Sequence, residues 1–214
     1  MANTQTIITI SRQYGSGGRF IGRKLAEALD IPFYDKEIIL RAAEESGLSR
    51  EVLEQLEEKP TNSLLYSLSL NAGLFRGGTV APELPLSDRV FLVQSDAIRK
   101  MADQGPCVIV GRCSEYVLRG RPDCVNIYLY SNMDDRIARA TTYYGLSPEN
   151  AKEKLTKMDK KRAAYHNFYT GMKWGQAENY DLAINTATLG IDGTVELIRN
   201  FVELKEKVRR ETAE

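Results

Sequence analysis

Apolar residues first gather in Ile7, Ile8 and Ile10 around Thr9, a β-branched run that predicts a strand. Beyond a polar, glycine-rich stretch, Ile21, Leu25, Ala28 and Leu29 recur at helical spacing and predict an amphipathic helix. Residues 31–35 read as a short strand ending in an acid. Residues 36–45, with Ile38, Ile39 and Ala42 on one face, read as a helix closed by Ser46-Gly47, and Ser49 caps a short helix through Leu56. From 59 to 86 the pattern dissolves into Ser, Asn, Gly and Pro with scattered leucines, which predicts an excursion from the core. Order returns with a helix capped by Ser87 and running through Met101, broken by Gly105-Pro106. Cys107-Val108-Ile109-Val110 is an unbroken apolar run, as suits a strand covered on both faces, and 125–130 is a further strand. Asp134 and Asp135 fit the first turn of a helix through Tyr144. Ser147-Pro148 opens a highly charged helix to about Tyr169, Leu182-Ala183-Ile184 is a last strand, and 193–209 is a terminal amphipathic helix.

Strands alternating with helices predict an α/β fold with a parallel sheet and helices on both faces. Right-handed crossovers then gather the loops after each strand on one edge, where ligands bind. That edge collects Tyr14 to Gly18, Asp35, Gly111-Arg112 and Ser131. Basic and acidic residues balance at 29 each, so no global field attracts nucleic acid or an anionic membrane, and any anion site must be built locally. The three cysteines lack metal-like spacing and fit a reducing compartment as small buried fillers. Neither a signal peptide nor a membrane span is read, so the expected compartment is the cytoplasm. The sequence leaves the oligomeric state open, a homodimer included.

The polar stretch between the first strand and helix, Arg12-Gln13-Tyr14-Gly15-Ser16-Gly17-Gly18-Arg19-Phe20-Ile21-Gly22, carries most of the chemistry. Strand, glycine-rich turn and helix wrap backbone N–H groups around a phosphate, with the positive end of the helix dipole aimed at the same spot. Tyr14, Gly15, Ser16, Gly17 and Gly18 are the candidate phosphate cradle. The P-loop pattern G-x-x-x-x-G-K-[ST] fits in neither register. With Gly18 as second glycine, Arg19 takes the lysine's place and Phe20 the hydroxyl's. With Gly17 in that role, Gly18 and Arg19 stand there. Arg12 or Arg19 is therefore the candidate substitute for the lysine, and Ser16 the candidate hydroxyl for Mg²⁺. The same loop, with Asp35 eighteen residues after Gly17, also fits a dinucleotide fold, except that Phe20 stands where Gly or Ala is needed.

Taken alone, Asp35 and Arg41 read as a helix cap and a solvated base. Gly111-Arg112, directly after a buried strand, places a guanidinium at the sheet edge. Arg136 and Arg139 share a helix face. Lys152, Lys154, Lys157 and Asp159-Lys160-Lys161-Arg162 make the next helix strongly basic, and beside a phosphate loop such a surplus reads as a lid that closes over polyphosphate. His166, the one histidine, and Trp174 read as packing.

In this order, and with Tyr180-Asp181-Leu182-Ala183-Ile184-Asn185-Thr186 near the end, the motifs resemble bacterial cytidylate kinase. More closely, Ser11-Arg12-Gln13-Tyr14-Gly15-Ser16-Gly17-Gly18-Arg19 and Val110-Gly111-Arg112-Cys113 resemble the cytidylate kinase-like proteins. The resemblance implies a three-layer P-loop NTPase fold over residues 1–214, with an acceptor-side insertion at 59–86 and a basic helical lid at 145–175. It implies transfer of the ATP γ-phosphate, with Mg²⁺, to a nucleoside monophosphate such as CMP or dCMP. ATP phosphates fall to Tyr14–Gly18, catalysis to Arg12, Arg19, Arg136, Arg139 and Arg162, and the acceptor to Asp35, Arg41, Arg112 and Asp159. The departures are the absent lysine, Cys113 in place of an acid, and Leu155 where an arginine stands four residues before Asp159. Two other classes remain open at this point: a nucleotide-binding regulator without turnover, and a dinucleotide-binding oxidoreductase.

Overall fold

The computed structural model describes residues 4–36 and 84–212. Arg41, residues 37–45 and 49–56 of the two expected helices, and the insertion up to 83 lie outside the described residues. Five parallel strands, β1 (Ile7–Arg12), β2 (Phe33–Tyr34), β3 (Val108–Val110), β4 (Cys124–Tyr130) and β5 (Leu182–Asn185), form one sheet in the order β2-β3-β1-β4-β5. The described helices are α1 (Gly18–Leu29), α2 (Leu86–Asp103), the single turn α3 (Ser114–Val117), α4 (Met133–Tyr144), α5 (Pro148–Thr170) and α6 (Thr186–Glu211).

The period-two alternation of the strands builds three layers. Ile8, Ile10, Val108, Val110, Val125, Ile127 and Leu129 point to one face, where Ile21, Leu25 and Leu29 of α1 and Ile198 and Val202 of α6 meet them. Ile7, Ile109 and Cys124 point the other way, against Ile98, Met101 and Ala102 of α2. Each fully buried isoleucine contributes about 1.5–3 kcal/mol, so this two-sided burial dominates the fold's stability. Glycine at position 22 allows α1 to lie close on the sheet, since a Cβ there would stand 2.8 Å from Val110 Cγ2.

Some local expectations need correction. Within α1 it is Ala26 that is buried and Ala28 that faces solvent. Pro85 rather than Ser87 precedes α2, and Ser87 is buried in the first turn. The terminal helix starts at Thr186, seven residues early, because the Asn185 side chain caps it by accepting from the Ala187 N–H; a non-helical Gly190 then breaks the run. The strand order removes the dinucleotide reading: that fold pairs β2 with β1, whereas here β3 lies between them.

At the far end of the sheet, the Glu206 carboxylate accepts from Thr4 Oγ1 and Thr6 Oγ1 at 2.6 Å and from the Gln5 N–H at 2.8 Å. Burial pushes this carboxyl up, but the three donors outweigh it and hold it below the usual glutamate range. A depressed carboxyl stabilises the fold above its unfolded pKa, and that stability is lost as pH falls through the folded value. Glu206→Gln is expected to cost about 1–2 kcal/mol at neutral pH and progressively less as pH falls through the acid range, measured by urea unfolding across that range.

Candidate functional site

All five strands deliver their carboxyl ends to one edge, and β1 supplies the centre of it. The chain leaves β1 through Tyr14–Gly18. Gly17, at φ 85°, occupies the left-handed region as the N-cap of α1, so the backbone turns sharply into the helix. The N-terminus of α1 thus opens at the loop, the geometry that receives phosphate.

Three elements brace this loop. Asp159 of α5 accepts the Tyr14 N–H at 2.8 Å and pairs through its other oxygen with Arg136 of α4, whose Nε donates to the Tyr14 carbonyl at 2.8 Å. One residue is thereby held at both its N–H and its C=O by the Asp159–Arg136 ion pair. Arg139 reaches the Gly15 carbonyl, Ser131 Oγ and Thr186 Oγ1 at 3.3–3.4 Å. Asp159, Arg136 and Arg139, which the family resemblance places at the acceptor and in catalysis, thus all hydrogen-bond the loop. Ser16 is fully buried, and its hydroxyl donates to the Gln13 carbonyl at 2.9 Å within the tight turn.

Beside the loop, a cavity opens between β1, β3 and α5. Its wall carries five cations, Arg12, Lys36, Arg112, Lys161 and Arg162, along with Glu115, Tyr165, His166 and Trp174. Arg162 Nη1 donates to the Arg12 carbonyl at 3.0 Å and its guanidinium lies over the Tyr14 ring. The Arg12 side chain is pressed against Gly111, where a Cβ would stand 2.2 Å from its Nη1. Burial, with Arg162 and Arg112 nearby, pulls the Arg12 guanidinium well below the ordinary arginine range. Such an accumulation of positive charge favours an anion. Arg19 lies elsewhere: half-exposed, it pairs with the buried Asp35 at 2.8 Å. Lys152, Lys154, Lys157 and Lys160 face solvent, so only the Lys161-Arg162 end of the basic run reaches the cavity.

The turn after β3 has unusual backbone geometry. Gly111, Arg112 and Cys113 adopt φ of 87°, 59° and 54° in succession, a left-handed run in which two residues carry side chains. It ends β3 abruptly, swings Arg112 over the cavity and starts α3 with Glu115 on the wall. Cys113 is buried and burial pushes its thiol up, as it does for Cys107 and Cys124, both to about 12. All three are free, inert fillers, as expected.

Sequence reasoning missed Glu115, Lys36 and Tyr165, which carry no motif of their own. His166 and Trp174 do pack, as expected, yet both also line the cavity. Trp174 Nε1 donates to Ser11 Oγ at 3.0 Å. His166 is buried against Glu115, with Nε2 at 2.8 Å from Oε1. Among the described residues, no group of three or more His, Cys, Asp or Glu could hold a metal ion, and no helix is long and apolar enough to cross a membrane.

Comparison with known proteins agrees with this geometry. The profile of the cytidylate kinase-like family matches residues 7–188. The chain is 27% identical, over 92% of its own length and 99% of the other's, to a cytidylate kinase of Ignicoccus hospitalis. Among solved structures it is similar to an uncharacterized protein from Eubacterium ventriosum, at a TM-score of 0.71 and 27% identity over 93% of this chain and 99% of that one. The fold is shared with shikimate kinase from Bacteroides thetaiotaomicron, at a TM-score of 0.53 and 14% identity over 92% and 98% of the two chains.

Proposed function

The chain belongs to the cytidylate kinase-like family, and from that premise we propose that it moves the γ-phosphoryl group of ATP to CMP, dCMP or a related small phosphorylated acceptor. The observation that carries the reading is the five-cation cavity adjoining a glycine-built loop at a helix N-terminus. The Tyr14–Gly18 backbone would cradle the ATP phosphates. Arg112, Lys36, Lys161 and Arg162 would hold the acceptor phosphate in the cavity, with Arg12 at the junction of the two sites. Asp35 and Arg41 would flank the acceptor. Phosphoryl transfer asks little covalent chemistry of the protein, so positioning and neutralised charge suffice.

The residues fit a polyphosphate. Among the described residues no ready set for Mg²⁺ stands at the loop, since the Ser16 hydroxyl donates to the Gln13 carbonyl and Asp35 and Asp159 are paired. A magnesium ion would therefore arrive on ATP, held by phosphate oxygens and water, and would offset phosphate charge. The three free buried cysteines support the cytoplasm as the compartment.

The test is incubation with labelled ATP and Mg²⁺ against a panel of CMP, dCMP, UMP, AMP and small hydroxyl acceptors. Label appearing in CDP or dCDP is the expected outcome. Binding of ATP with no transfer to any acceptor would refute the proposal in favour of a nucleotide-responsive regulator.

A further inference from the structure

Glu115 is an anomaly on the cavity wall. A carboxylate among five cations weakens the attraction of the cavity for every anion. It is buried, and among the described residues its Oε2 has no hydrogen-bond partner. Leaving such an oxygen unsatisfied is costly, and a bound group that donates to it recovers the cost. Arg162 donates to the Arg12 carbonyl, and Arg112 hydrogen-bonds Tyr165.

The other oxygen fixes the carboxyl in place. Oε1 lies 2.8 Å from His166 Nε2, and His166 Nδ1 lies 3.2 Å from the Met172 carbonyl. A carbonyl only accepts, so Nδ1 carries a hydrogen. The Thr170 hydroxyl, 3.3 Å from Nδ1, donates to the His166 carbonyl at 2.7 Å, which leaves that assignment intact. The Nε2–Oε1 contact then holds one further proton, on either partner, and in both arrangements Oε2 remains an acceptor.

We propose that Glu115, oriented by His166, accepts an O–H or N–H of the phosphoryl acceptor, so that the cavity selects compounds carrying such a donor beside their anionic group. This rests on the reading of the cavity as the acceptor site. A nucleoside monophosphate, with sugar hydroxyls and a base amine, meets both requirements; a bare oxyanion meets one.

The test compares CMP with inorganic sulfate, which is anionic but has no donor. Untagged wild type and Glu115→Met, which removes both oxygens, are titrated calorimetrically with each, and sulfate is competed against CMP. Expected is a loss of about tenfold or more in CMP affinity, as for a site stripped of a buried hydrogen-bond partner, with sulfate affinity unchanged or tighter. Equal changes for both probes, or none, overturn the inference while leaving the cavity reading intact. Absence of any CMP–sulfate competition in wild type overturns the cavity reading and the inference together. Should Glu115→Met fail to fold, wild type alone decides. His166 is the one histidine of the chain, so its ring-nitrogen NMR signals need no assignment. CMP at saturation is expected to shift the Nε2 signal and sulfate to leave it in place; identical responses refute the proposal.

Discussion

Replacing Arg12 by alanine is expected to lower phosphoryl transfer from ATP by about a thousandfold, the scale on which a charge-stabilising arginine acts in such reactions. Arg19→Ala is expected to lower it by about tenfold or less, the scale of an exposed pair. The loop lacks the usual lysine, and by position alone either arginine qualifies as its substitute. Geometry separates them. Arg19 is half-exposed and paired with Asp35, whereas Arg12 ends β1 beside Gly111, where the loop and the cavity meet. Burial and two further arginines press on its guanidinium and outweigh the attraction of Glu115 and Asp35. The same crowding predicts the opposite sign for stability: Arg12→Ala relieves repulsion and is expected to melt no lower than wild type without ligand. Coupled ADP-release assays and thermal melts of both variants and their double mutant provide the check. Equal activity in all three would show that neither arginine replaces the lysine.

Asp159→Ala is expected to destabilise the protein by about 3–5 kcal/mol, the cost of leaving a buried charge unpaired. Arg136 is the charge in question, with a side chain 5% exposed against 16% for Asp159. The substitution also strips the acceptor from the Tyr14 N–H. Arg136→Ala and the double mutant complete a cycle in urea. The double is expected to cost clearly less than the sum of the singles, because the second substitution removes the group that the first stranded. A cost below about 1 kcal/mol for Asp159→Ala would place the pair among surface bridges. Because the clamp grips the loop, ATP binding should fall in these variants even where they remain folded.

The strand–loop–helix opening was legible in the sequence because each part is local: β-branched residues, glycines and a helical period stand side by side. The buried run 107–110 likewise announced β3 and its edge arginine. What escaped depends on pairs far apart in the chain. Tyr14 and Asp159 are 145 residues apart, Glu115 and His166 are 51 apart, and nothing local distinguishes a carboxylate that braces a loop from one that meets a ligand. Phe20, which stands where a dinucleotide fold needs Gly or Ala, lies outside, against Tyr143 and Tyr144, while Gly22 makes the close approach.

The left-handed run Gly111-Arg112-Cys113 has a thermodynamic consequence for any ligand that enters. Its conformational cost falls on the folding equilibrium, where two covered sheet faces absorb it. An incoming anion therefore meets Arg112 already aimed and loses little affinity to ordering this segment. Association here should carry a small entropic penalty from the protein, and a Cys113→Gly variant, stabler in isolation at that φ, should bind the same anion with a larger one.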